Sequence, residues 1–417
     1  MNKIFCYRER WRFPLVLGGL IVLLAQATTL IIDKGPISEV AYAGEPAVQS
    51  QQDRTPVVLN RAPLRFIRDP NPAFAAVAVN SEHNMLVVAD ENLFQILEYD
   101  HRDNTPPQAR FTEPRRVISG TSTRVEMMCG VYIDPKTREI YALNNDTQGW
   151  IPVFSPDARG NATPTRYISG IRGFSMTAHE GRQELFVVNQ EGGRYDSAGN
   201  QGGAVYVFRK QAEGEEKPLR ILEGYDTQLE DPHGIALDLE NNLMFVSNFG
   251  NVHKQNPDTG EVYGDFEPPS ITVYPLDTSG NTKPLRIIEG PNSLLNWPSH
   301  LAFHHERQEL FVANDGDSSV LVFRASAEGD VAPIRVLKGP RTGIVHPPGI
   351  ALDERLNELY VANMGTPTVT VFPVTASGNV APVRTVRGAP AGTKSLMIGN
   401  PGAVGYDTRR GEILVPN

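Results

Sequence analysis

The chain has 417 residues, 40% of them hydrophobic and 21% charged, with a formal net charge of −9. That composition describes folded protein rather than disorder, and the length suits two or three average domains or one large repeat domain. Residues 1–43 carry five basic side chains against three acidic ones, so the acidic excess lies in the remainder, which argues against nucleic acid or anionic lipid as the partner.

The first element, residues 1–43, reads as a targeting segment. Basic KIFCYRERWR precedes an apolar run at 13–32 that is about as long as a bilayer crossing requires. Small-x-small sites at Ala25–Ala27 and Ala41–Ala43 leave a cleaved signal peptide and an uncleaved signal anchor both open. In either case the basic flank stays inside and the body is exported, to a periplasm or a cell surface. Membrane contact is expected only through this segment. Cys6 precedes the apolar run and Cys129 follows it, so no disulfide framework is expected and the core must hold the fold.

From residue 55 to 417 the chain repeats. MLVVAD (85–90), EIYALN (139–144), ELFVVN (184–189), LMFVSN (243–248), ELFVAN (309–314), ELYVAN (358–363) and EILVPN (412–417) are seven copies of one strand. A strand such as GIALD (349–353) precedes each copy, and a strand such as TVTVFPV (368–374) follows each of the first six. A fourth strand opens with Pro-x-Arg, as at Pro333/Arg335 and Pro382/Arg384. In five units the end of the third strand sits ten residues before that proline; the first unit departs from this spacing. Short β-branched and aromatic runs, punctuated by Gly, Asn, Asp and Pro, predict strands throughout. Four-stranded units of this length predict an all-β, seven-bladed β-propeller, with the edge-tolerant proline on the outermost strand. The seventh blade is expected to be closed by both termini, residues 55–69 completing the sheet that EILVPN begins.

LYVAN followed by TVTVF resembles the YVTN repeats of seven-bladed surface propellers, and the order PxGIALD…ELYVAN is similar to NHL repeats. The resemblance covers roughly residues 55–417 and implies architecture. It leaves activity open, because such propellers include binding scaffolds, lactonases and lyases.

What recurs in every unit is read as scaffold. The Asn or Asp closing the second strand (Asp90, Asn144, Asn189, Asn248, Asn314, Asn363, Asn417) is expected to cap a turn, and the Pro-x-Arg arginines to make blade-edge contacts. A site should break the repeat. At the entry to the innermost strand, a position that is small elsewhere is His300 in the fifth unit, and His233 and His346 stand nearby in the fourth and sixth. With Asp231, these imidazoles could hold zinc or another divalent transition metal at the channel mouth, the one cofactor the sequence suggests. The resemblance to NHL-type lyases, which hold a channel metal with histidines, supports that idea. Against it, His300 is out of alternation phase with His233 and His346, so a regular strand would not turn all three inward. His179 and His304 stand where Asp is usual and are expected to replace a turn residue, and Cys129 to fill space.

Two second-to-third-strand loops are long, 190–203 and 249–269, in neighbouring units. They carry Arg194, Tyr195, Asp196, His253, Asp258, Glu261, Tyr263, Asp265 and Phe266, charges mixed with aromatics as on recognition surfaces. The first functional expectation is a non-enzymatic scaffold that binds a protein or glycan outside the cytoplasm. The alternative is a metal-dependent lactonase or lyase working at the channel mouth. Innermost strands almost devoid of carboxylates favour binding.

Overall fold

Runs of Val, Ile, Leu, Phe and Tyr fold as short strands because branched and aromatic side chains pack well on a pleated surface. The computed structural model describes residues 69–145, 149–190, 200–395, 405–410 and 412–414. The chain divides into two compact units, Met1–Ile67 and Arg68–Asn417, and the targeting segment lies outside the described residues. Among the described residues no helix is long and apolar enough to cross a membrane.

Six antiparallel four-stranded sheets follow one another as propeller blades: blade 1 (74–119), blade 2 (128–169), blade 3 (175–223), blade 4 (232–289), blade 5 (298–338) and blade 6 (349–387). Within each, the strands lie side by side in chain order, as expected. Residues Gly405–Asp407 and Glu412–Leu414 form a further antiparallel pair. The segment 55–68, expected to complete that pair as a seventh blade, lies outside the described residues.

The all-β propeller is thus borne out, and its described blades close on themselves. Each of six hydrophobic clusters fills one seam between neighbouring blades. One of them joins Phe74, Leu86 and Tyr99 of blade 1 to Tyr360, Val371 and Val386 of blade 6, all essentially inaccessible to solvent. A buried side chain of this size contributes roughly 1.5–3 kcal/mol, so each seam is a substantial part of the total. The outer rim repeats the pattern. The loop between the third and fourth strands of one blade bridges the fourth strand of the blade before it, as in the pairs Ile118–Gly160 and Leu337–Gly378. Blade 1 does the same to blade 6 through Thr105 N to Thr385 O, 2.8 Å, and Thr112 N to Arg387 O, 2.9 Å. Blades 1 and 6 are therefore direct neighbours, a difference from the ring of seven expected from the sequence. The departure of the first unit from the ten-residue spacing marks the reason: its longer loop is the clasp.

The arginines make the expected blade-edge contacts, whereas the Asn or Asp that closes the second strand, expected to cap a turn, fastens a segment distant in sequence. Asp90, Asn144, Asn248, Asn314 and Asn363 each accept a hydrogen bond from the backbone N–H of the chain entering their own blade's innermost strand, at Ala73, Glu126, Glu230, Asn296 and Val345. Asn189 closes the equivalent strand of blade 3, and Asn417 lies outside the described residues. Arg166, Arg220, Arg335 and Arg384 pair with Glu139, Glu184, Glu309 and Glu358 at the start of the second strand, and Arg116 with Glu98. Arg220, Arg335 and Arg384 reach on to a carbonyl of the next blade, at Leu276, Val374 and His101. In blade 4, Leu243 stands where the glutamate would, and Arg286 bonds the Ala325 carbonyl instead.

Candidate functional site

The residue that leads into the innermost strand sits in left-handed backbone in blades 4, 5 and 6: Asp231 (φ +58), Trp297 (φ +50) and His346 (φ +45). That conformation is uncommon for any non-glycine residue and strained for bulky ones, and it clusters where function needs it. The three hold the same rank. Their carbonyls accept from Phe249, Asp315 and Met364, the first residues after each second strand. This ring of positions is one mouth of the central channel.

At that mouth the structure brings Asp231, His233 and His300 together. Asp231 is buried; its Oδ1 lies 2.9 Å from His233 Nε2, and its Oδ2 accepts from Asn251 Nδ2 at 2.7 Å. The His233 ring lies between Phe174 and Phe249, centroids 3.7 and 3.4 Å away, and Phe249 stacks on Trp297 at 5.7 Å. Trp297 is the exposed end of this stack, 47% accessible. His300 crosses the channel, its Nε2 donating to the Phe174 carbonyl of blade 3 at 3.0 Å. Burial pushes its imidazole down to about 4, so it is neutral over most of the working range. Regular alternation breaks down here, because the strand is irregular between Pro298 and Leu301. Small residues recur at this position because the next blade's backbone crowds it. A Cβ on Gly234 would meet Ser299 O at 2.2 Å, and one on Gly349 would meet Ala75 O at 2.8 Å.

His346 is not part of that group. Its Nδ1 faces Asp315 Oδ1 at 3.6 Å, and this carboxylate holds the imidazole above its ordinary value. As placed, His233 Nε2 is engaged by Asp231 and His300 Nε2 by a carbonyl, and among the described residues no three His, Cys, Asp or Glu side chains are arranged to hold a metal ion. His179 does act as a turn residue, its Nδ1 accepting from Arg182 N at 3.2 Å. His304 is fully buried and faces Asn357 and Glu354 instead. Cys129 is half-buried, with Asn145 Nδ2 3.6 Å from its Sγ.

Below His300 runs a channel cavity of about 280 Å³, lined by the innermost strands of all six blades and ending at Leu239, His305 and Glu354 on the opposite face. Glu354 Oε1 lies 2.8 Å from His305 Nδ1 and raises that imidazole above its ordinary value.

The two long loops meet. Residues 191–199, with Arg194, Tyr195 and Asp196, lie outside the described residues, but Asn200–Gln201 pairs antiparallel with Asn251–Gln255 of blade 4. That strand pairs in turn with Val262–Phe266, giving a three-stranded sheet additional to the blades. It rises beside the channel mouth, as expected for a second-to-third-strand connection. Its base is part of the body: Val252 is buried, Asn251 holds Asp231, and Gly250 N donates to the Glu230 carbonyl. Its outer strand and turn are not: Val262, Tyr263 and Phe266 are 52%, 50% and 52% accessible, and Asp258, Glu261 and Asp265 are exposed, as is His253 on the strand beside them. Lys254 Nζ bridges Asp265 Oδ2 at 2.6 Å and Glu267 Oε1 at 3.5 Å. Beneath the hairpin, burial pushes Glu230 up to about 7, with Glu267 and Glu289 adding to the rise. Glu230 and the aromatic stack were not singled out from the sequence. Trp297 was the available signal, a bulky residue at the channel entry.

The family model described as "Lactonase, 7-bladed beta-propeller" matches residues 262–395, from the second hairpin strand through blade 6. No curated protein matches the sequence. Among solved structures, the chain is similar to Kuenenia stuttgartiensis Hydrazine Synthase, with 11% identity, TM-score 0.48, and 76% of this chain and 99% of that one covered. It is also similar to the WD40 beta propeller domain of Doa1, with 9% identity, TM-score 0.43, and 71% and 92% covered. The blades and the family match together make this chain a β-propeller that is similar to the lactonase propellers over its last blades.

Proposed function

We propose that the protein is an exported propeller that binds a protein or glycan through the extra sheet of blades 3 and 4. The observation that carries this reading is the pairing of Asn200–Gln201 with Asn251–Gln255, which braces the insertions of two blades into one surface. Independent ornaments have no cause to be cross-braced, or to present Val262, Tyr263 and Phe266 to solvent beside Asp258 and Glu261. Aromatic side chains in a charged surround are what binding surfaces enrich. The basic-then-apolar N-terminus supports an extracytoplasmic location, secreted or anchored.

The test is a Tyr263→Ser/Phe266→Ser protein used as bait in the extracytoplasmic fraction. It should melt as the wild type does and lose the partner that the wild type captures. Retention of every partner would end this reading. Cutting the loop back to residue 250 is not a fair test, because Val252 and Asn251 belong to the body.

A second reading, a lactonase or lyase at the channel mouth, draws on the family match and on the buried Asp231–His233 pair. Metal content of the purified protein and hydrolysis of simple lactones, each compared with His233→Ala, test it. Protein that neither carries metal nor turns over a lactone would remove it.

A further inference from the structure

Among the described residues, the extra sheet ends on a strand paired along one edge alone. Its order is Asn200–Gln201, Asn251–Gln255, Val262–Phe266, so the last strand is paired on one side only among the described residues. The register says which main-chain groups that leaves. Asn256 N donates to Glu261 O at 2.8 Å and Glu267 N to Gly250 O at 2.7 Å, one pair at each end of the ladder. In an antiparallel pair such contacts recur at every second residue. Tyr263 and Asp265 therefore spend their N–H and C=O groups inward, and Val262, Gly264 and Phe266 turn theirs to the open edge. The Phe266 N–H is taken by Asp265 Oδ1 at 2.9 Å, which leaves the Val262 and Gly264 N–H groups facing outward.

Native edges are usually blunted by a lysine, a proline or a bulge. This strand contains no lysine or proline, and its five pairs run in regular register. A side chain at Gly264 would meet nothing within 4 Å. The two faces differ. Val262 and Phe266 share one, and Tyr263 and Asp265 share the other with Lys254. The charge is one-sided: Asp258, Glu261, Asp265 and Glu267 stand against Lys254, which Asp265 and Glu267 already engage.

We infer that Val262–Phe266 is an open docking edge that takes an extended peptide of alternating basic and apolar residues as the fourth strand of this sheet. The main-chain groups of Val262 and Gly264 supply the ladder, Val262 and Phe266 meet the apolar side chains, and the acidic residues meet the basic ones. A second copy of this chain fits less well, because the same acidic strand would face itself. The inference rests on the sheet being the binding surface, and goes beyond it in naming the mode and the partner chemistry.

The test uses the full chain and a fluorescein-labelled octapeptide of alternating lysine and valine, read by anisotropy. Gly264→Pro removes an outward N–H and leaves the inward ladder intact, a substitution edge strands tolerate. It should weaken binding by about tenfold, the worth of a main-chain hydrogen bond and its alignment. Gly264→Ala, which keeps the N–H, should bind as the wild type does. An octapeptide with glutamate for lysine, or with N-methylated valines, should not bind. Equal binding by Gly264→Pro and wild type would overturn the inference, as would failure of the lysine–valine peptide to bind. A concentration-dependent dimer abolished by Gly264→Pro would overturn it in favour of self-pairing. If Tyr263→Ser/Phe266→Ser loses a captured partner that Gly264→Pro retains, the surface stands and strand addition fails.

Discussion

At the rim, five of the six Pro-x-Arg arginines among the described residues meet a glutamate of their own blade, and the sixth, Arg286, makes do with a carbonyl. At the channel mouth, the matching positions of blades 4, 5 and 6 hold Asp231, Trp297 and His346, and His300 stands where a small residue is the rule. The rim does one job six times, so its side chains converge on one solution. The mouth is where blades differ, and the differences gather in blades 3 to 5, beside the extra sheet. Departure from the repeat, rather than residue type, separates candidate function from scaffold.

The sharpest way to break this contrast is at the rim, where blade 4 supplies an internal control. Glu309 is buried, and although burial opposes its charge, Arg335 and Arg307 hold its carboxyl down to about 2. Arg335→Leu should cost about 2 kcal/mol in urea unfolding, because it leaves a buried carboxylate with Arg307 as its one remaining cation. Arg286→Leu, with no carboxylate to strand, should cost about 1 kcal/mol. A carboxylate depressed on folding adds stability above its unfolded value of 4.5, lost as pH falls towards 2. Arg335→Leu should therefore flatten the acid limb of the stability curve, and Arg286→Leu should not. Equal costs would mean that the rim is held by packing and not by these pairs.

Strand content was legible because the seven VAN-like copies and the Pro-x-Arg prolines recur at fixed offsets, and periodicity survives without knowledge of contacts. The blade-edge role of the arginines was legible for the same reason. Ring closure was not. Whether blade 1 meets blade 6 depends on Tyr99, Tyr360 and the loop carrying Thr105, residues far apart in sequence whose meeting no local pattern states. His300 stood out as a break in the repeat, yet alternation could not place it, because the strand is irregular just where the histidine sits. The pairing of Asn200–Gln201 with the blade 4 hairpin was hidden for another reason: two residues are too few to read as a strand.

At the mouth, His300 offers a test of the opposite kind. Its imidazole is held near 4 against an ordinary 6.5, chiefly by burial. A histidine depressed on folding binds fewer protons in the native state, so stability falls as pH drops from 6.5 towards 4. The full shift is worth about 3 kcal/mol. His300→Gln keeps a donor for the Phe174 carbonyl and removes the titration. It should cost about 1 kcal/mol at pH 8 and end more stable than the wild type near pH 4.5. A wild-type and variant difference that does not change with pH would mean that the ring is hydrated and the mouth is not sealed by it.

The smallest effect returns to the repeat and asks whether a rule can be restored. Asp90 does the fastening job that asparagine does at 144, 248, 314 and 363, accepting from Ala73 N, Asn92 N, Leu93 N and Gln95 Nε2. Burial outweighs those four bonds and pushes its carboxyl up from 3.8 to about 6. A carboxyl raised on folding contributes most when protonated, so its contribution is complete below 3.8 and is lost as pH rises through 6. Asp90→Asn removes that loss. The new amide oxygen can take the three backbone donors, and Gln95 must turn its own oxygen to the new NH2 group, which offsets part of the gain. The net expectation is a gain of about 1 kcal/mol at pH 8 and none at pH 4, so the benefit grows with pH where that of His300→Gln shrinks and turns into a cost. Thermal unfolding of the two variants across that range reads both trends at once. A destabilised Asp90→Asn at pH 8 would mean that blade 1 needs the carboxylate itself. The first blade would then join the exceptions rather than the rule.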